Sequence, residues 1–186
     1  FYVIYPQPFL KEYEFISWIY SLLSLILILV AWTERRYSIR SWFFIAYSQV
    51  FFMLAIAQDH VFALNQLAIY FSGLVGAFLG GWWCLSKVKE AENNNSLNIF
   101  HGHIYEHPKF SFFFLICSLT MIGFPISPSF IGFDILFSNI QLNHYFVLII
   151  SALTFVFLEL AVLRIYARVF LGPHVKNYHE VAKRSS

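Results

Sequence analysis

Long runs of apolar residues constrain this chain more than any other feature of its sequence. The runs are long enough for α-helices to cross the hydrocarbon core of a bilayer, which takes about 20 residues. Only 12% of the residues are charged, roughly half the share that is usual in a soluble domain. The sequence therefore predicts an all-α fold, a polytopic transmembrane helix bundle that contacts the lipid bilayer.

The apolar runs divide the chain into about six predicted helices. They cover residues 15–32, 41–57, 61–85, 110–124, 130–141 and 145–171. An extended lead-in (1–14) precedes this transmembrane domain (15–171), a polar loop (86–109) lies within it, and a basic tail (172–186) follows it. The net charge of +2 is too small to indicate a nucleic-acid partner, so we interpret the basic residues as topology signals.

A group of helix-breaking residues interrupts the apolar sequence at residues 123–129. Gly123, Pro125 and Pro128 lie in this segment, GFPISPS, which ends at Ser129. In hydrocarbon every backbone N–H and C=O group needs an internal partner, so helix breakers are tolerated only where neighbouring helices or a wet cavity supply one. We therefore expect a broken helix here, with the rest of the bundle packed around it.

Three ionisable residues lie in apolar sequence at or after the break. Asp134 follows the break, and Glu159 and Arg164 lie in the last apolar run. An acid at the centre of a transmembrane helix costs about 2.5 to 3.5 kcal/mol on insertion scales, so it should face protein or water. Glu159 and Arg164 are five positions apart, a poor spacing for a pair on one helix face, so we expect each to have a partner elsewhere.

Asp59 and His60 lie in a short polar turn before the third predicted helix. Histidine titrates near neutral pH, so one interpretation is a proton relay. The other is a solvated turn without a chemical role. Within the third helix itself, small residues recur every four positions and predict close helix contacts. They are Gly73, Ala77 and Gly81 in one row and Gly76 and Gly80 in another.

Three histidines, His101, His103 and His107, lie in the polar loop. Imidazole is a common ligand of zinc and nickel. The spacing matches no helical i, i+4 pair, and we find no cysteine or acid set that completes a site, so we predict no metal. The chain also shows no cofactor motif and no nucleophile, acid pair or phosphate loop, so we expect no catalytic centre of its own.

Three segments in order carry a resemblance to a known family. Residues 45–57, IAYSQVFFMLAIA, follow a basic loop, residues 119–137 read LTMIGFPISPSFIGFDILF, and residues 163–173 read LRIYARVFLGP. Together they resemble the C-terminal half of the antiporter-like membrane subunits of the respiratory complex I superfamily. That superfamily includes NADH:quinone oxidoreductase, Mrp-type cation/proton antiporters, membrane hydrogenases and the membrane partner of an inorganic-carbon transporter.

The resemblance implies a membrane subunit of a proton- or cation-translocating complex, whose partners are other membrane subunits of a hetero-oligomer. It also implies an energy-coupling membrane, such as the bacterial cytoplasmic (inner) membrane, and at most the membrane part of a translocating oxidoreductase. Protons in this family move along buried ionisable residues at mid-membrane. The candidates for such a path in this chain are Asp134, Glu159, Arg164, His60 and Asp59.

The match to the family is uneven at its functional positions. Arg164 matches the arginine of the family's late helix, whereas Phe133 stands where the family usually has lysine or glutamate. The acids and bases of this chain are therefore sparse for a complete pathway. Two alternatives stay open: a structural subunit that conducts no ions, and a membrane partner of an inorganic-carbon transporter.

The charges and the resemblance favour different numbers of membrane crossings. Five crossings place the basic loop around Arg36, the polar loop and the tail on one side, as the positive-inside rule prefers. Six crossings place the tail on the opposite side, and the resemblance favours six.

Overall fold

The structure is a computed structural model that describes residues 14–57, 64–92, 96–138 and 145–173, and these residues form six α-helices. The helices are α1 (Glu14–Thr33), α2 (Ser38–Ala57), α3 (Leu64–Glu92), α4 (Pro108–Met121), α5 (Pro128–Ser138) and α6 (Tyr145–Val169). The predicted all-α bundle is thereby confirmed. Within the described residues four helices, α1, α2, α3 and α6, are long and apolar enough to cross a membrane. The chain is an integral membrane protein.

Helix α3 continues into the segment that the sequence assigns to the polar loop. It ends at Glu92 instead of residue 85. The charged residues after position 85 mark the loop in the sequence, but Leu85 and Val88 are fully buried and continue the apolar face of the helix. Lys87 and Glu90 pair at 2.7 Å on the opposite, exposed side. The burial of one face therefore extends the helix past its first charges.

Helices α4 and α5 run one after the other in the same direction, as the two pieces of one discontinuous helix would. Residues of α4 and then α5 lie against positions of α3 in strictly descending order. Phe110 contacts Trp83, Cys117 lies against Gly80, Ser129 lies against Gly73, and Gly132 lies against Tyr70. Both pieces thus run antiparallel to α3, with the break between them. Their 14 and 11 residues correspond to about 21 and 17 Å of helix, together enough for a bilayer core.

Four long helices and the α4–α5 pair, counted together, give the described residues up to five candidate crossings, whereas the resemblance favours six. The count differs because α5 continues along α3 in the same direction as α4, so the break does not reverse the chain. Three segments consequently meet at one end of the bundle: the α1–α2 turn, residues 96–107 and residues 170–173. We call this end the basic end. Backbone bonds join them there: Leu97 N–H donates to Arg35 O at 2.8 Å, and His101 N–H donates to Arg168 O at 3.0 Å.

Cysteine labelling tests this topology. We expect cysteines introduced at Arg36, Ile99 and Leu171, all exposed, to react with an impermeant maleimide from the same side of sealed vesicles. By the positive-inside rule that side is the cytoplasmic one. The native Cys84 and Cys117 are buried, so the unsubstituted chain is the matched control and should stay unlabelled. Labelling at position 171 from the opposite side would contradict five crossings.

Serine hydroxyls join α1 to α2 along their length. Ser24 Oγ donates to Ser48 O at 2.8 Å, and Ser48 Oγ donates to Ser24 O at 2.9 Å. Ser17 Oγ and Ser41 Oγ bond carbonyls of the facing helix in the same way. Interhelical hydrogen bonds of this kind contribute about 0.6 kcal/mol each in membranes. They satisfy buried polar groups without placing a charge in the core.

The small-residue rows predicted on α3 make most of the expected close contacts. A Cβ atom added at Gly73 would clash with α5, one at Gly80 would clash with α4, and one at Gly81 would clash with the Trp42 ring on α2. Gly76 is the exception, since a Cβ atom added there would have no atom within 4 Å. Three helices thus approach the α3 backbone at glycines, which positions the break against the bundle.

Candidate functional site

The end of α4 is built by a glycine turn. Gly123 has φ +74°, a left-handed conformation that favours glycine. Its N–H donates to Thr120 O at 3.1 Å, and the Phe124 N–H donates to Leu119 O at 2.9 Å. These two bonds are a Schellman motif, which pairs the last carbonyls of the helix. A Cβ at position 123 would also meet the Phe133 ring at 2.5 Å.

The start of α5 is built by proline and serine. Pro128 occupies the first helical position, where its missing N–H is no loss. Ser127 Oγ donates to Phe124 O at 2.6 Å, and Ser129 Oγ donates to Thr120 O. Side-chain hydroxyls thus pair carbonyls that the break frees from helical bonding. The predicted break is confirmed, with Pro128 and Ser129 inside the first turn of α5 and not in the turn before it.

The break lies on the surface of the bundle, whereas we expected the bundle to surround it. Ile126 at its tip is 90% exposed, and Phe124 and Phe130 are also exposed. Asp134 is exposed as well, on the side of α5 opposite the buried Ser129 and Leu136. We call this surface, formed by residues 124–126 and the outward side of α5, the open face.

Glu159 lies on α6 where that helix borders the open face. Positions 155, 159 and 166 share one side of a helix. The Phe155 ring contacts the rings of Phe133 and Phe137 of α5, with ring centroids 5.5 Å apart in each pair. Further along α6, Tyr166 Oη lies 3.3 Å from Ser111 Oγ of α4. Glu159 is exposed between these two contacts. Neither Glu159 nor Asp134 makes a hydrogen bond or ion pair with any residue that the structure describes.

Arg164 lies at the basic end, away from the two acids. Its guanidinium donates to Trp32 O and, at 3.1 Å, to Glu34 O, and its Cζ lies 5.3 Å from the centroid of the Trp32 ring. The expectation that Arg164 has a partner away from Glu159 is met by these carbonyls. Arginine here pairs the C-terminal carbonyls of α1. With Arg35 and Arg168 it also lines a cavity of about 400 Å³.

The interior of the bundle holds neutral polar groups. The buried polar residues of its described helices are serines, Thr154 and Gln49, and no Asp, Glu, Lys or Arg is among them. Gln49 O accepts a bond from Tyr70 Oη at 2.9 Å. The remaining path candidates, Asp59 and His60, lie outside the described residues. An ionisable chain through the middle of the described bundle is therefore absent, and the acids lie at its edge.

Sequence reasoning missed two acids beside the loop histidines. Glu92 is the last residue of α3, and its Oε1 lies 3.0 Å from His107 Nε2. Glu106 and His103 place ligand atoms near the same carboxylate. The signal in the sequence was the Glu-His pair at positions 106 and 107, but Glu92 is distant in the chain and was assigned to a loop.

The candidate functional residues thus form separate groups. The break and Asp134 belong to the open face, and Glu159 borders it on α6. Arg164 bonds the end of α1 at the basic end, and the histidines and glutamates form a separate cluster at that end. Comparisons of this chain with protein-family models, with curated proteins and with solved structures find no match.

Proposed function

We propose that this chain is a membrane subunit of a proton- or cation-translocating complex in an energy-coupling membrane such as the bacterial cytoplasmic membrane. It contributes part of an ion path along its contact with a neighbouring membrane subunit. The observation that carries the proposal is the pair of exposed acids, Asp134 and Glu159, beside a discontinuous helix. The resemblance of residues 45–173 to antiporter-like subunits supports the choice of an ion as the substrate.

The open face is costly if it faces lipid. Each ionised carboxylate in the membrane core costs about 2.5 to 3.5 kcal/mol on insertion scales. Non-helical backbone at membrane depth, as at residues 122–127, also needs protein or water around it. A second membrane subunit on this face removes both costs, and its side chains facing Asp134 and Glu159 would be basic or hydrogen-bond donors.

The arrangement suits ion movement along the interface. Discontinuous helices recur at the ion sites of membrane transporters, where the break gives polar access to mid-membrane. Charges that meet in a low-dielectric contact interact strongly, so protonation of one group changes its neighbours. The neutral interior of the bundle leaves the open face as the route with ionisable groups.

The same neutral interior favours a second candidate function. A subunit that only supports its complex needs no ionisable path, and the two acids would then hold fixed hydrogen bonds to the partner. This structural candidate and the transport proposal share the interface and differ in what the acids do there.

Isosteric substitutions separate the two candidates. We expect Asp134→Asn and Glu159→Gln to keep the complex assembled, because an amide still hydrogen-bonds, but to abolish its ion transport, because an amide cannot exchange a proton. Assembly is measured by co-purification of membrane subunits with the tagged chain in mild detergent, and transport by ion uptake into vesicles.

A control variant and two contrary outcomes complete this test. Glu90→Gln removes an exposed acid at the basic end and should leave both measurements unchanged. Normal transport in assembled Asp134→Asn and Glu159→Gln complexes would establish the structural candidate. Purification of the native chain without any membrane partner would overturn both.

A further inference from the structure

A histidine and two glutamates converge where α3 ends and α4 begins. One ligand atom from each of Glu92, His103 and Glu106 lies within 4.8 Å of the other two. His103 is 6% exposed, and the Glu92 side chain is 8% exposed. The cluster lies at the basic end of the bundle, at the opposite end of α4 from the break, and the proposed function does not use it.

Backbone contacts hold the loop residues of the cluster in place. His103 N–H donates to Val169 O at 3.4 Å, which ties the loop to the end of α6, and His107 N–H donates to His103 O at 2.8 Å. The turn between them brings Glu106 beside His103. Glu92 is held by α3, whose face at Val88 is fully buried. The end of α3 and a loop that is hydrogen-bonded to α6 therefore present the three side chains.

The cluster brings two acids and a histidine together, a set of groups that suits a divalent cation. The Glu92 side chain is largely buried and Glu106 is half-buried, and two ionised carboxylates this close repel each other. A divalent ion between them reverses the sign of that interaction. The ligand set, one imidazole nitrogen and two carboxylate oxygens, matches the donors of zinc sites. Calcium and magnesium prefer oxygen ligands alone.

We propose that Glu92, His103 and Glu106 bind a divalent transition-metal ion, for which Zn²⁺ is the reference. Metal–ligand bonds of about 2.0 to 2.2 Å hold ligand atoms within about 4 Å of one another, so small side-chain rotations complete the set from the observed separation. Three protein ligands leave a fourth position for water or for a ligand from a partner. The bound ion would fasten the end of α3 to the loop that precedes α4.

Two neighbouring histidines support the ligands from outside. His107 Nε2 lies 3.0 Å from Glu92 Oε1, so a protonated Nε2 donates to this carboxylate and orients it. The His101 ring stacks on His103 with the centroids 5.1 Å apart and the planes at 10°, which fixes the orientation of the ligand ring. Groups that orient metal ligands typically change metal affinity about 10- to 100-fold when they are removed.

Zinc titration of the purified full chain tests the proposal. The chain carries a histidine-free tag and is stripped of metal with a chelator, and Zn²⁺ binding is followed by calorimetry and elemental analysis. We expect one ion per chain. His103→Ala and Glu106→Gln should each weaken binding by at least about 100-fold, more than the loss of an orienting group. His107→Phe should weaken it by about 10- to 100-fold, and His107→Gln, which keeps a donor, should recover most of the affinity.

The controls separate this site from nonspecific binding and from misfolding. Glu90→Gln removes an acid two positions before Glu92 on the same helix and should bind Zn²⁺ like the native chain. Co²⁺ bound to the native chain should give the visible absorption of a four-coordinate site, which Zn²⁺ and not excess Mg²⁺ abolishes. Equal Zn²⁺ affinity in the native, His103→Ala and Glu106→Gln chains overturns the proposal. If those variants misfold, a native chain without the Co²⁺ spectrum overturns it equally.

Discussion

Replacing Arg164 with methionine is expected to lower the free energy of unfolding by about 2 to 3 kcal/mol. The guanidinium donates to Trp32 O and Glu34 O, and a hydrogen bond to a charged group contributes about 1.5 to 3 kcal/mol. Methionine fills similar volume but leaves both carbonyls at the end of α1 without this donor, and water at the basic end replaces part of the loss. The measurement is unfolding in mixed detergent micelles, followed by helical circular dichroism.

Two further substitutions identify the cause of the effect. Arg164→Lys keeps the charge but lacks the planar fork that reaches two carbonyls, so it should recover only part of the lost stability. Arg36→Gln removes an exposed arginine from the same end of the bundle and should change stability by less than about 0.5 kcal/mol. If Arg164→Met unfolds like the native chain, the guanidinium does not stabilise the end of α1.

The helices and their closest contacts could be predicted from the sequence because both depend on local pattern. Apolar runs specify membrane helices by length, and glycines four positions apart on α3 specify where another backbone can approach. The break was also predictable, since Gly123 and Pro128 act on their own segment of backbone. Only the boundaries moved, most of all at the end of α3, where the buried Val88 outweighs the neighbouring charges.

The environment of each ionisable residue could not be predicted, because it depends on which elements meet. Asp134 occupies the same position in α5 whether that helix lies inside the bundle or at its edge, and only the packing against α3 shows that it is exposed. Glu92 and His103 belong to different segments, and they meet because α3 extends and the loop is tied to α6. The number of crossings likewise depends on the direction of α5 after the break, which proline and glycine leave open.

The largest packing effect is expected from Gly73→Leu on α3. A Cβ atom at this position would lie 2.6 Å from the Ser129 backbone nitrogen and 2.9 Å from its Cα. The backbone at the start of a helix cannot change rotamer to avoid a clash as a side chain can, so the whole of α5 has to move. We expect a loss of about 3 kcal/mol in the free energy of unfolding, at the upper end of the range for overpacked sites.

Gly76→Leu is the matched control, because it makes the same change three residues along the same helix. Its Cβ would have no neighbour within 4 Å, and replacing a helical glycine gains up to about 1 kcal/mol in helix propensity. The control should therefore be as stable as the native chain or more so. Equal destabilisation by both substitutions would mean that α5 does not pack on Gly73.

The same pair of variants connects this contact to the open face. Ser129 lies in the first turn of the helix that carries Asp134, so any shift of α5 away from Gly73 displaces the acid relative to the partner subunit. At a temperature where the Gly73→Leu chain is still folded, we expect it to retain less of its membrane partner during purification than the Gly76→Leu chain does. Equal retention would mean that the partner contacts the chain elsewhere, because the open face cannot keep its geometry once α5 has moved.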